Sequence, residues 1–200
     1  MLQSFKKFSF VVLITVLATF SVNAQDSTTW KIDKAHSSVN FSINHFFSSV
    51  TGKFTNFEGN INIDRNNLKA SKVNFTIMVN SVNTDNKKRD EHLQSPDFFN
   101  TKAYPNMTFK STKIEKKSEK EYLVYGKLTI RDKTKDIVLL ATITGEMEHP
   151  MKKGTIILGI LIDTTLDRTE YGVGTGNWAT SKVVGDEVKI HIPMELNRTK

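Results

Sequence analysis

Near the C-terminal end of the chain, Val188, Ile190, Ile192, Met194 and Leu196 alternate with Lys189, His191 and Glu195. A period of two puts one set of side chains on each face of an extended strand, so this segment is read as a strand with one buried and one wet face. The same alternation runs through Val39, Phe41 and Ile43; through Val73, Phe75, Ile77 and Val79; through Val124, Leu128 and Ile130; and through Ile137, Leu139, Ala141 and Ile143. Weaker runs at residues 30–33, 52–63, 107–114 and 155–164 bring the total to about nine strands, most of them separated by polar or glycine-containing turns. No repeat of 20 to 50 residues interrupts them. The chain is therefore expected to be all-β and antiparallel, either a sandwich or an up-and-down barrel, and the short connections between later strands favour a meander closing on itself.

Three segments depart from this pattern. Pro193 lies inside the last strand, where a missing N–H calls for an edge or a bulge. Residues 156–162, IILGILI, are apolar on both faces, which predicts that the outer face is covered by a loop, a helix or a second copy of the chain in a homodimer. The longest connection, residues 79–106, contains RDEHLQSPDFF at 89–99. Thr84 or Asp85 is placed to cap a short helix over residues 86–93, and Ser95 to cap a second turn with Pro96 at its first position. Connections this long in compact domains are usually functional. We expect a lid whose Phe98 and Phe99 face the end of a barrel, either as the mouth of a cavity or as a plug of its core.

Composition narrows the functional classes. The first 24 residues have the order of an export signal: Lys6 and Lys7, an apolar run over 8–20, and a small-residue cleavage site ending at Ala24. The apolar run is shorter than a spanning helix needs, and no second one follows. The expectation is a periplasmic or secreted chain of one domain, residues 25–200, with no transmembrane segment. Without cysteine there is no disulfide framework, thiolate metal site or thiol nucleophile. Removing the signal leaves 26 basic against 21 acidic side chains, and these are scattered, so nucleic-acid binding is not expected.

Catalytic and metal motifs are lacking as well. The five histidines, His36, His45, His92, His149 and His191, show no compact ligand spacing, and no Gly-x-Ser-x-Gly elbow occurs. No cofactor or metal is implied, and the protein is not expected to be an enzyme. The enzymatic alternative is a lipid hydrolase or isomerase using His45 or His92 as general base. The glycines at 172, 174 and 176 precede a strand without a βαβ unit, so that loop is read as a flap and not a phosphate site. Trp30 and Trp178 are expected to cover barrel ends.

Several motifs, in order, carry a resemblance. They are WKIDKAHS at 30–37, VNFSINH at 39–45, VTGKFTNFEG at 50–59, SVNT at 81–84, RDEHLQSPDFF at 89–99, YPNMTFKST at 104–112, GKLTIR at 126–131 and DRTEYG at 167–172. The set resembles the YceI-like family of bacterial secreted or periplasmic proteins associated with polyisoprenoid binding. The resemblance implies a lipocalin-like barrel of eight main strands with an apolar tunnel for a long prenyl chain, as in a polyprenyl quinone or polyprenyl phosphate. Asn100, Asp132 and the pair Glu170-Tyr171 depart from the family pattern, which bears on head-group contacts.

Combining parity with the resemblance gives a set of candidate ligand-binding residues. Phe41, Ile43, Phe54, Phe75, Ile77, Phe109, Leu128, Leu139 and Ile190 are placed along the tunnel, with Phe98 and Phe99 at its mouth. His45 continues the inward parity of Phe41 and Ile43. Arg89 and His92 on the lid are candidates for a polar head group, or else for ion pairs with Asp90, Glu91 or Asp97. Arg168 is a candidate partner for a lid carboxylate or a ligand phosphate. The alternative to a carrier is a barrel with a packed interior that works as an interaction or structural protein. Gly59, Gly126, Ala141 and Ser111 are the small inward residues expected to leave room for a ligand.

Overall fold

The computed structural model describes residues 28–180 and 182–200. The expected export signal and its cleavage site lie outside the described residues. Eleven strands follow in order: β1 (Thr29–Asp33), β2 (Val39–His45), β3 (Ser48–Phe54), β4 (Phe57–Asn62), β5 (Lys72–Met78), β6 (Val82–Asn83), β7 (Asn106–Lys116), β8 (Glu121–Ile130), β9 (Lys133–Glu148), β10 (Thr155–Asp167) and β11 (Val184–Thr199). The run expected as one strand over 52–63 is two, broken at Thr55 and Asn56. There Thr55 N–H donates to Ser81 O (3.1 Å) and Asn56 N–H to Ser81 Oγ (3.0 Å), which turns the chain sharply.

Eight of these strands close a barrel in the order β1-β4-β5-β7-β8-β9-β10-β11, and β1 returns to β11 through the pairs Lys31–Asn197, Ile32–Leu196 and Asp33–Glu195. The other three form an extension. β2 pairs with the first half of β11, β3 with β2, and the short β6 with β3. β11 thus changes partner midway, from β2 through His191 to β1 from Glu195, and Pro193 sits at the change. Its carbonyl accepts from Ser38 N–H (3.0 Å), so its nitrogen faces the β1–β2 connection, where no ladder bond is lost. That connection is a turn held by Asp33, which accepts from Ala35 N–H (2.9 Å) and pairs with His36 Nδ1 (3.0 Å).

Alternation works as the sequence predicts, with bulges where it changes phase. In β7 the register shifts between Ser111 and Lys113, so the inward residues run Met107, Phe109, then Ile114. In β10, Leu158, Ile160 and Ile162 point inward, while Ile157 and Leu161 face out, half-buried beside Met147 and Pro193. Gly59 and Gly126 do not leave ligand space, contrary to expectation. A Cβ at Gly126 would stand 2.4 Å from Phe109 Cζ, and one at Gly59 would stand 2.9 Å from Phe75 Cδ2, so each glycine seats the ring of a neighbouring strand. Ser111 is likewise occupied: its Oγ accepts from Val73 N–H (2.8 Å).

The helix α1 (Lys87–Gln94) begins one or two residues later than expected. Its N-cap is Asn86, whose Oδ1 accepts from Arg89 N–H (3.1 Å). Asp85 takes a left-handed φ of 57°, and buried Thr84 becomes the anchor of the lid. Thr84 donates from N–H (2.9 Å) and Oγ1 (2.6 Å) to Asp90 Oδ1.

Two outcomes test this description. Gly126→Ala forces the Phe109 ring and the Lys110 carbonyl apart, and is expected to cost about 1–3 kcal/mol in denaturant unfolding. For His36, its hydrogen bond to Asp33 and the nearby Glu195 raise the imidazole pKa above its ordinary value. That stabilisation is present in full below the unfolded-state pKa and is lost as pH rises through the folded one. A histidine NMR titration should find His36 titrating higher than free imidazole, and Asp33→Asn should lower it.

Candidate functional site

The inward faces do not meet in one core. Buried residues form three clusters on different parts of the wall: one around Phe54, Phe57, Val79, Phe98 and Tyr171; one around Trp30, Ile61, Leu158 and Leu196; and one around Phe109, Ile114 and Val124. Between them Phe41, Ile43, Phe75, Ile77, Leu128, Leu139 and Ile190 point inward yet are only half-buried. They face a cavity of about 280 Å³. Its lining is almost wholly aliphatic and aromatic; beyond the hydroxyls of Tyr122, Tyr171 and Thr164, the polar side chains are Asn40, Arg65 and Arg168.

Size decides what such a space holds. Apolar cavities of about 150 Å³ stay dry and take up benzene, so this one is large enough for a longer apolar molecule. The side chains around such a space lack partner atoms on one side, and an apolar occupant would supply those contacts.

Two loops close one end. The lid, residues 84–105, contributes Leu93, Phe98 and Phe99 to the lining; the flap, residues 168–183, contributes Arg168, Tyr171 and Val173. They meet along a seam. Thr175 N–H donates to Asp97 O (2.8 Å), and Trp178 packs on His92 (5.2 Å between ring centroids) and Phe98 (5.7 Å). Phe99 turns inward against Phe54 at 5.9 Å. At the other end Trp30 is buried, with the Arg198 guanidinium over its ring at 5.1 Å. Arg65 reaches the cavity from the β4–β5 loop and pairs with Glu146 on β9.

Buried Arg168 organises the flap. Nε donates to Gly185 O (2.8 Å), Nη1 to Val173 O (2.7 Å), and Nη2 to Val184 O (3.0 Å) and Asp186 Oδ1 (3.2 Å). Burial lowers its pKa from the ordinary guanidinium value, with Asp186 and Asp167 opposing the shift. Its partner is therefore a carboxylate of β11 and not one of the lid. Tyr171 beside it is 1% exposed, its phenol pKa raised by burial, and Lys135 lies over the ring at 5.9 Å.

Of the residues expected at the site, Phe41, Ile43, Phe54, Phe75, Ile77, Phe98, Phe99, Phe109, Leu128, Leu139, Arg168 and Ile190 line the cavity. Three do not. His45 is the last residue of β2, opposite Val184, with its ring against Phe46 in the hairpin turn (4.7 Å) and not in the lining. Arg89 is turned back on the lid, donating to Thr84 Oγ1 and Thr84 O (both 2.7 Å). His92 pairs with Asp97 at 3.3 Å in the seam. Of the two roles expected for these lid side chains, His92 takes the ion pair with Asp97, and Arg89 is held by Thr84, not by Asp90 or Glu91.

Arg131 was not legible as a site residue. It occupies the first position of the two-residue β8–β9 turn with φ 54°, a conformation that usually belongs to glycine there. From that position Nη1 donates to Phe98 O (2.7 Å) on the lid and to Gly172 O on the flap. The guanidinium lies over Tyr104 at 5.7 Å, and its buried Nε has no hydrogen-bond partner among the described residues. A strained backbone and an orphaned donor are sustained by a side chain that ties both loops to the barrel.

These features define a closed antiparallel β-barrel with an apolar cavity under a two-loop cover. The chain belongs to the YceI-like domain family, whose model matches residues 30–196. It is 40% identical over 134 residues to protein YceI of Escherichia coli O157:H7, covering 66% of this chain and 70% of that one. Its fold is similar to the crystal structure of BcnA from Burkholderia cenocepacia (TM-score 0.71, 27% identity, 84% of this chain and 99% of that one). It is also similar to a Saccharophagus degradans domain described as polyisoprenoid binding (TM-score 0.65, 15% identity, 86% and 98% covered).

Arg131→Gly is compatible with the turn but removes both latch bonds. Hydrogen exchange should show the Thr175 amide, which reports the seam, opening roughly tenfold faster or more, while amides of β7 and β8 keep their protection.

Proposed function

We propose that the protein is an extracytoplasmic carrier that holds one long apolar chain of the polyisoprenoid type in its barrel, without covalent chemistry. The observation that carries the proposal is the apolar cavity of about 280 Å³ inside the barrel, lined by the half-buried inward residues of its walls. The export signal read in residues 1–24 supports a periplasmic or secreted location. Each buried CH₂ is worth about 0.8 kcal/mol, so a few five-carbon units offset the several kcal/mol lost on association.

The polar groups bear on the choice of head group. Both guanidinium groups in the lining are already ion-paired, Arg65 with Glu146 and Arg168 with Asp186. A phosphate would have to displace those partners, whereas a quinone asks only for neutral hydrogen-bond donors. The arrangement therefore favours a polyprenyl quinone over a polyprenyl phosphate.

Filling the cavity is the direct test. Ala141 lines it from the middle of β9, and Ala141→Phe places a ring where the chain would lie. Incubated with a polyprenyl quinone in detergent, the exported chain should take up about one molecule and the variant several-fold less, with the variant's thermal stability unchanged or higher. Equal uptake by both would remove the cavity from the proposal.

A further inference from the structure

Phe46 and Phe47 form the turn between β2 and β3, and both are exposed: Phe46 at 58% and Phe47 fully. Phe46 holds a left-handed φ of 51°, which a bulky side chain rarely adopts. Water gives neither ring anything in return. The barrel has room for aromatic side chains elsewhere, and two adjacent phenylalanines at a hairpin tip are an apolar surface facing outward.

The tip adjoins the covered end of the cavity. Phe46 N–H donates to Val183 O (2.9 Å) at the end of the flap, and the next residue, Val184, lines the cavity and accepts from Arg168. Trp178, half-buried, lies on the same flap. Charge at the tip is one-sided: residues 44–51 contain no aspartate or glutamate, and exposed Lys182 stands next to Val183, whose carbonyl Phe46 meets. Two aromatic rings on an acid-free tip beside a lysine match an anionic lipid surface, where rings enter the headgroup boundary and a lysine meets phosphates.

We infer that the β2–β3 hairpin docks the barrel on an anionic phospholipid bilayer through Phe46 and Phe47, bringing the lid–flap seam to the membrane so that the apolar chain passes without crossing water. The purpose of the docking rests on the carrier reading; the docking itself does not. A hairpin tip in the interface also explains why the aromatic pair lies beside the flap and not at the Trp30 end.

Flotation of the exported chain with vesicles tests it, using phosphatidylglycerol–phosphatidylethanolamine and, separately, phosphatidylcholine vesicles. The wild type should float with the anionic vesicles and much less with phosphatidylcholine. The double variant Phe46→Gly/Phe47→Ser should bind roughly tenfold more weakly or worse. Glycine suits the left-handed φ, so the variant should keep its fold by circular dichroism and its quinone uptake from detergent. Equal flotation of variant and wild type, or no flotation of the wild type with anionic vesicles, overturns the inference. Failure of the wild type to take up quinone from detergent would instead count against the carrier reading, while flotation alone decides docking.

Discussion

Closure of the sheet is the constraint on which the rest of this structure depends. Three residue pairs between β1 and β11 turn a meander with free edges into a tube, and Leu196, fully buried, is the side chain that packs where the two strands meet. Closing a sheet of eight strands sets the diameter, and at this size the interior is just wide enough either to fill with side chains or to admit a ligand. Here Gly59 and Gly126 draw the Phe75 and Phe109 rings back against their own walls. The three clusters then meet only through half-buried side chains such as Phe75, which border the space left between them.

The polar economy follows from the same geometry. A tube with an apolar lumen must end somewhere, and its ends expose backbone that cannot be left without partners. Arg168 and Arg131 solve this at the covered end by taking carbonyls from the flap, the lid and β11. Because most of their donors are spent on backbone, the site has strong structural charges but little free charge for a ligand. The cover is consequently cohesive through a few identifiable bonds and rings, which is the condition for opening as a unit while the barrel keeps its shape.

Much of this was written in the sequence, and the parts that were not have physical reasons. Alternation gave the strands and, through parity, most of the lining, because a buried face must be apolar at every second position. It failed at strand ends and breaks: His45, the last residue of β2, turns its ring to Phe46 in the hairpin, and the break at Thr55 and Asn56 split one run into two strands. The aromatic end of RDEHLQSPDFF signalled a lid, and its acids offered Asp97 as the partner of His92, but nothing in it pointed to Thr84 as the partner of Arg89. Arg89 and His92 satisfy groups a few residues away, Thr84 and Asp97, and such local bonds compete with any ligand contact. Arg131 carries no local signature at all, since its importance comes from a strained turn and two carbonyls 33 and 41 residues distant.

The central claim is that the barrel is built around an occupant. The measurement that tests it most directly is native mass spectrometry of the protein purified from the cells that make it, followed by organic extraction and identification of whatever is released. The account predicts a complex of one chain with one prenyl-chain lipid, lost on extraction. A bare polypeptide mass that stays bare after incubation with a polyprenyl quinone would contradict it.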